Sequence, residues 1–175
     1  MNRRRLLAGF AGAGLAGTGA WVATGGSLGI GDGSDRLAVE VTTLDAPGST
    51  AGTQRVAVPE TPTVVDCFAT WCGPCADQMD ALRTVHDRYG DRAAFVSVTN
   101  ERFGGGFDRS DLLAWWRDHD GHWTLGHDPE GDVLAALGAD GLPFLAVTDD
   151  AGQVVWADGG VASVESLSDR LDSVV

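Results

Sequence analysis

Three thiols fall within nine positions of one another, and the chain has no other cysteine. They are Cys67, Cys72 and Cys75 in "VVDCFATWCGPCADQ" (64–78). Thiols this close allow three kinds of chemistry: a metal site, a structural crosslink with one thiol spare, or a redox pair beside a bystander. Structural zinc takes four Cys or His ligands, usually from two spaced pairs. Here one C-x-x-C stands alone, and His86, His119, His122 and His127 show no paired spacing with it, so no metal is expected. His86 and His119 are expected as partly buried helix-face residues.

The placement of "WCGPC" favours redox work. It sits where an apolar, strand-like run passes into a helical pattern. Cys72 then lies at a helix N-terminus, where unpaired N–H groups and the helix dipole favour a thiolate. Cys75 lies three residues on, on the same side of the first turn, close enough to close a small disulfide ring. Pro74 costs the first turn no needed N–H and pre-sets its backbone. In this arrangement the outer thiolate attacks a substrate disulfide and the inner thiol resolves the mixed disulfide.

The elements that must hold these residues alternate between strand and helix. Short alternating runs at 37–44 and 54–58 flank the turn-rich "DAPGSTAGT". The run at 63–69 is almost continuously apolar, as in a strand covered on both faces. A helix is expected from 73 to 89, with Cys75, Met79, Leu82, His86 and Tyr89 facing inward. A buried strand at 93–99 follows. After a glycine-rich loop comes a helix at 109–119 with Leu112, one of Trp115 and Trp116, and His119 on one stripe; of the tryptophans, one is expected in the core and one at the surface. A strand at 123–127, a short helix at 130–138, a hairpin of 143–149 with 154–158, and an amphipathic helix from Ser163 to the end complete the pattern. This is an α/β layered domain on a mixed sheet.

With these motifs in view, "VDCFATWCGPC" closely resembles the thioredoxin superfamily. The longer chain, with its extra strand and helix before "GLPF", is similar to the exported TlpA/ResA-like thiol:disulfide oxidoreductase branch. The resemblance covers 37 to 175 and implies a thioredoxin fold: a mixed central sheet flanked by helices, an N-terminal strand extension and an inserted strand-helix. It implies a redox-active Cys72–Cys75 disulfide and no bound cofactor. It gives Pro143 the role of a cis proline packed against the disulfide, with substrate docking beside Leu142. Gly73 and Pro74 complete the active-site turn. Trp71 is expected to shield the disulfide and offer substrate a flat contact.

Asp66, six residues before Cys72, stands where thioredoxins carry a buried acid. An Asp inside a central strand has its pKa raised by poor solvation, and can pass a proton to or from Cys75. Cys67 is its neighbour and points to the opposite face, where it is expected as a small buried hydrophobe. Departures from the family follow the motif. Ala76, Gln78 and Asp80 stand where relatives place a basic residue, an acid and a proline, and Asp77 and Asp80 add negative charge near the thiolate. The loop 100–110 lacks the Lys and Ser/Thr of a phosphate loop and is expected to join two elements and contact a partner.

Composition sets the surroundings. Of 175 residues, 25 are acidic, 20 of them Asp, against twelve Arg and no Lys, for a net charge of −13. Such a surface repels nucleic acid. An acidic, lysine-free chain resembles proteins from organisms that live at high salt. Arg3, Arg4 and Arg5 precede an apolar run from Leu6 to Ala23, and "NRRRLL" resembles a twin-arginine export signal. Residues 1–25 are therefore expected as a signal peptide or membrane anchor, 26–36 as a linker and 37–175 as the folded domain. The expectation is an exported monomeric reductase of disulfide-containing exported proteins, supplied with electrons by a membrane donor, with cytochrome maturation as one role. A disulfide oxidase or isomerase, and a copper-binding or metal-delivery module, are the alternatives.

Overall fold

The computed structural model describes residues 36–175. The signal or anchor segment at 1–25 and the linker, up to its last residue Arg36, lie outside the described residues. Among the described residues, no helix is long and apolar enough to cross a membrane.

Seven strands form one sheet: β1 (Glu40–Thr43), β2 (Gly52–Arg55), β3 (Thr63–Phe68), β4 (Ala94–Thr99), β5 (Thr124–His127), β6 (Phe144–Thr148) and β7 (Val154–Gly159). Their order is β2-β1-β5-β4-β3-β6-β7. β3, β4 and β5 run parallel, and antiparallel strands close both flanks. Four helices complete the domain: α1 (Gly73–Tyr89), α2 (Arg109–Asp118), α3 (Asp132–Leu137) and α4 (Val164–Leu171). This is the expected α/β thioredoxin fold.

β3 is buried along its whole length, as its unbroken apolar run requires, and successive residues serve different cores. Val64 and Phe68 join Met79, Leu82 and Val85 of α1, Leu112 and Trp116 of α2, and Leu167 and Leu171 of α4. Val65 and Cys67 join Val96, Val98, Phe144 and Val133 of α3 in a second cluster. Each fully buried aliphatic side chain contributes about 1.5–3 kcal/mol, so the two clusters clamp β3 from both sides. Trp116 fills its space so tightly that a Cβ on Gly121 would fall 2.2 Å from the indole.

The structure moves several expected boundaries. The strand expected at 54–58 is Gly52–Arg55: Val56 and Ala57 are buried in the second cluster, and past Arg55 the pairing thins to the Val56 N–H donating to Val39 O at 2.9 Å. In the last full turns of α1 Val85 is fully buried, while His86 is half-buried at the margin of the stripe. Trp116 is the core tryptophan; Trp115 is not a free surface residue, since it stacks on Phe68 at 4.9 Å and on His119 at 4.1 Å.

Candidate active site

β3 ends at Phe68, and after three intervening residues the chain reaches Cys72 and enters α1. Cys72 is the N-cap, with extended backbone angles, and its sulfur accepts a hydrogen bond from the Cys75 N–H at 3.2 Å. Pro74 occupies the first turn without forfeiting a helical hydrogen bond. Cys72 and Cys75 are disulfide-bonded, with Cα atoms 5.3 Å apart. Cys75 is buried and Cys72 is 6% exposed, so the outer sulfur is the one nearer solvent. Around it the surface is open: a Cβ on Gly73 would meet no atom within 4 Å. No acid lies in the first turn of α1, and Asp80 is paired with Arg83 at 2.8 Å on the exposed face.

Trp71 is 75% exposed. So little of the ring covers the disulfide that its place suits contact with another molecule better than shielding. Leu142 packs against the cluster containing Cys72 and Cys75, and the Leu142–Pro143 peptide bond is cis. Because Cys67 pairs with Phe144 across β3 and β6, Pro143 lies level with the end of β3, the end from which Cys72 is reached.

Asp66 lies one step inside that end, 2% exposed, on the α1 side of the sheet. Burial drives its pKa up to about 7, and a hydrogen bond from Ser97 holds it back from rising further. Ser97 donates to Oδ2 at 2.8 Å, while Oδ1 has no partner among the described residues. Cys67 is the only free cysteine, is fully buried on the other face, and has its pKa pushed up by burial and then by the charges of Asp66 and Asp128.

Three supporting residues escaped the sequence reasoning. Glu101, just beyond β4, accepts from the Thr70 N–H at 2.7 Å, the Thr70 hydroxyl at 2.8 Å and the Thr99 hydroxyl at 3.1 Å, tying down the turn before Trp71. Gln78, noted only as a departure from the family pattern, is buried. Its amide donates to Ala162 O at 3.2 Å and accepts from Ala162 N, which anchors α1 to the approach of α4. Ser97 is the third. Asp66 and Ser97 each interrupt an apolar run at its centre, and matching the two runs in register would have paired them, as β3 and β4 do.

The glycine-rich loop turns back on itself through a Gly104–Phe107 bridge, and Gly104, Gly105 and Gly106 all have positive φ, which their lack of a side chain permits. It places Phe103 in a stack on His127 at 4.3 Å. Far down α1, donors of His86, Asp87 and His122 lie within 4.8 Å of one another. The two imidazoles meet edge to face with centroids 4.6 Å apart, and His122 Nε2 is 3.6 Å from Asp87. That arrangement is an aromatic contact closed by an acid, and the cysteines take no part in it.

The family model described as Redoxin matches residues 34–173. The chain belongs to that family and has the build of a thioredoxin-like oxidoreductase. Among solved structures it is similar to MTB DsbF in its mixed oxidized and reduced forms. There the identity is 21%, 82% of this chain and 98% of that chain are covered, and the TM-score is 0.66. It is also similar to a secreted Mycobacterium tuberculosis disulfide oxidoreductase homologous to E. coli DsbE, at 17% identity, 81% and 99% coverage and a TM-score of 0.65. At these identities the likeness is one of fold. A 44-residue stretch is 39% identical to the chloroplastic thioredoxin Y of Oryza sativa subsp. japonica, covering 25% of this chain and 26% of that protein.

Proposed function

From membership of the Redoxin family we propose that this protein exchanges disulfides with extracytoplasmic protein partners. Cys72 is the attacking thiolate, Cys75 the resolving thiol and Asp66 the proton carrier between Cys75 and its surroundings. One observation carries this reading: the Cys72 sulfur caps α1 while bonded to Cys75, and Cys67 is sealed behind the sheet. A helix N-terminus stabilises the thiolate that leaves when the disulfide opens. Trp71, Leu142 and Pro143 form the contact surface along which an extended substrate segment docks, and Gly73 leaves the approach to sulfur clear.

The favoured direction is reduction of exported proteins, cytochrome maturation included, with electrons supplied by a membrane donor because the compartment favours oxidation. Export is supported by Arg3–Arg5 and the apolar run behind them, and by the secreted state of the similar M. tuberculosis oxidoreductase. The acidic surface suits work at high salt.

Trapping tests the reading. A Cys75→Ser variant leaves its partner joined to Cys72, and that partner is identified from the mixed disulfide. A variant that traps nothing through Cys72, or traps equally through Cys67, overturns the assignment. A reduction potential near about −270 mV supports the reductase direction, and one near about −120 mV reverses it.

A further inference from the structure

Asp66 is the acid of a longer hydrogen-bonded line. Trp123 Nε1 donates to Ser97 Oγ at 2.9 Å, and Ser97 Oγ donates to Asp66 Oδ2 at 2.8 Å. All three residues are buried, with Ser97 at 0% exposure. The direction of each bond follows from the donor inventory. An indole N–H can only donate, so one lone pair of the hydroxyl is committed to Trp123. The hydroxyl has a single proton, and Asp66 Oδ2 is the acceptor that receives it. Turning that bond round, with Oδ2 as donor, would leave the serine proton buried without a partner.

The indole is itself held. It packs against His86 at 5.3 Å, His122 at 5.2 Å, Trp116 at 5.3 Å and Phe95 at 6.2 Å. Ser97 is fixed by its place in β4, opposite Asp66 on one side and Leu125 of β5 on the other. Of the two carboxyl oxygens, Oδ1 is left without a partner among the described residues.

We propose that Ser97 and Trp123 are positioning residues for Asp66: they fix Oδ2 as an acceptor and confine the exchangeable proton to Oδ1. The inference rests on the reading of Asp66 as the proton carrier. During resolution the Cys75 S–H proton passes to Oδ1, directly or through water, as the Cys75 sulfur attacks Cys72 of the mixed disulfide. The Cys72–Cys75 bond forms, the Cys72–substrate bond breaks, and the substrate leaves as a thiolate with that bond's electron pair. The protein is oxidised, the substrate is reduced, and Asp66 is left as the acid.

The titratable neighbours are few. Cys75 of α1 belongs to the cluster on the same side of the sheet as Asp66, and Cys67 lies beyond the strand on the other face. His86 of α1 and His122 of the α2–β5 loop stand behind the indole. β6 offers Leu145 opposite Asp66, which does not titrate. The shift of the Asp66 carboxyl, to about 7, comes from burial opposed by the Ser97 bond, with no charged side chain contributing.

The test is a carbon-13 titration of the Asp66 carboxyl in the oxidised protein, which needs no turnover, beside the pH profile of disulfide exchange. Ser97→Ala is expected to raise the midpoint by roughly one pH unit in both measurements. Trp123→Phe raises it by less, because the freed hydroxyl still visits Oδ2. Ser97→Thr restores the hydroxyl and brings the midpoint back, even where the added methyl lowers stability. A merely structural pair would lower stability in Ser97→Ala and Trp123→Phe and leave the midpoint in place, and that result overturns the inference. Asp66→Asn separates the two readings. If it leaves the pH profile of exchange unchanged, the proton-carrier role itself fails; if it removes the limb while Ser97→Ala moves nothing, only the positioning role fails.

Discussion

Cys72 and Cys67 are five residues apart, equally small, and both nearly excluded from water, yet the fold gives them opposite chemistry. Cys72 ends a connection, caps a helix and accepts an N–H at its sulfur. Cys67 sits inside β3 among valines on the far face of the sheet, where burial holds its thiol protonated. The same contrast separates the two faces of β3. The α1 face carries a disulfide, a carboxyl and a hydroxyl; the α3 face beneath Cys67 is filled by Val65, Val96, Val98 and Ala146. Strand parity, more than residue type, decides which thiol can react.

The sharpest way to break this contrast is to remove each thiol in turn. Cys72→Ser is expected to lower the rate of reduction of a model disulfide by on the order of a thousandfold or more, since no other exposed thiol can replace the nucleophile. Cys67→Ser is expected to lose stability, because it puts a hydroxyl among apolar neighbours, while each folded molecule keeps its rate. Equal loss of rate in the two variants would dissolve the distinction.

The polar face is tested next through pH. The native Asp66 carboxyl titrates near 7, against an ordinary value of 3.8. Between these values the folded state holds a proton that the unfolded state has released. The contribution is therefore fully present below about 3.8 and is lost as pH rises through about 7. Urea unfolding of the wild type is expected to show roughly 2–3 kcal/mol lost between pH 5 and 8.5 from this group. Asp66→Asn lacks that loss, and parallel pH curves for the two proteins would contradict the buried acid.

Glu101 probes what holds the reactive end in place. Glu101→Ala leaves the Thr70 N–H without its carboxylate, and is expected to cost about 1–2 kcal/mol in unfolding free energy. An unchanged free energy would show that the turn before Trp71 is held by other means. Trp71→Ala is the smallest effect in stability, under about 0.5 kcal/mol, because the ring is already in solvent. Its KM for a protein disulfide is expected to rise while that for a small disulfide stays put; equal changes for both substrates would remove Trp71 from the contact surface.

What the sequence conveyed well was local. α1 runs over the residues its periodicity marks, because Cys75, Met79, Leu82 and Tyr89 share one face and the helix starts where Cys72 can cap it. The buried β3 and its two faces were equally legible from the apolar run around Asp66 and Cys67. The strand expected at 54–58 is shorter because pairing fades past Val56, whose N–H still bonds Val39 O, and local hydrophobicity does not mark where a ladder stops. Ser97, Trp123 and Glu101 were missed because each acts across 26 to 31 residues of chain. Their partners are set by strand register and loop path, which no local pattern encodes.

The bond between Gln78 and Ala162 has a consequence for the order in which the protein is made. The helix carrying Cys75 is secured by the residues that flank α4, through that amide pair at Ala162 and through the Tyr89 hydroxyl, which donates to Asp172 at 2.8 Å. On the ribosome both cysteines emerge long before α4 does, at about 5–20 residues per second. A nascent chain stalled before Ala162 is thus expected to expose Cys75 to alkylating reagents, and release of the chain to close it off. The reactive end is synthesised well before the segments that complete it.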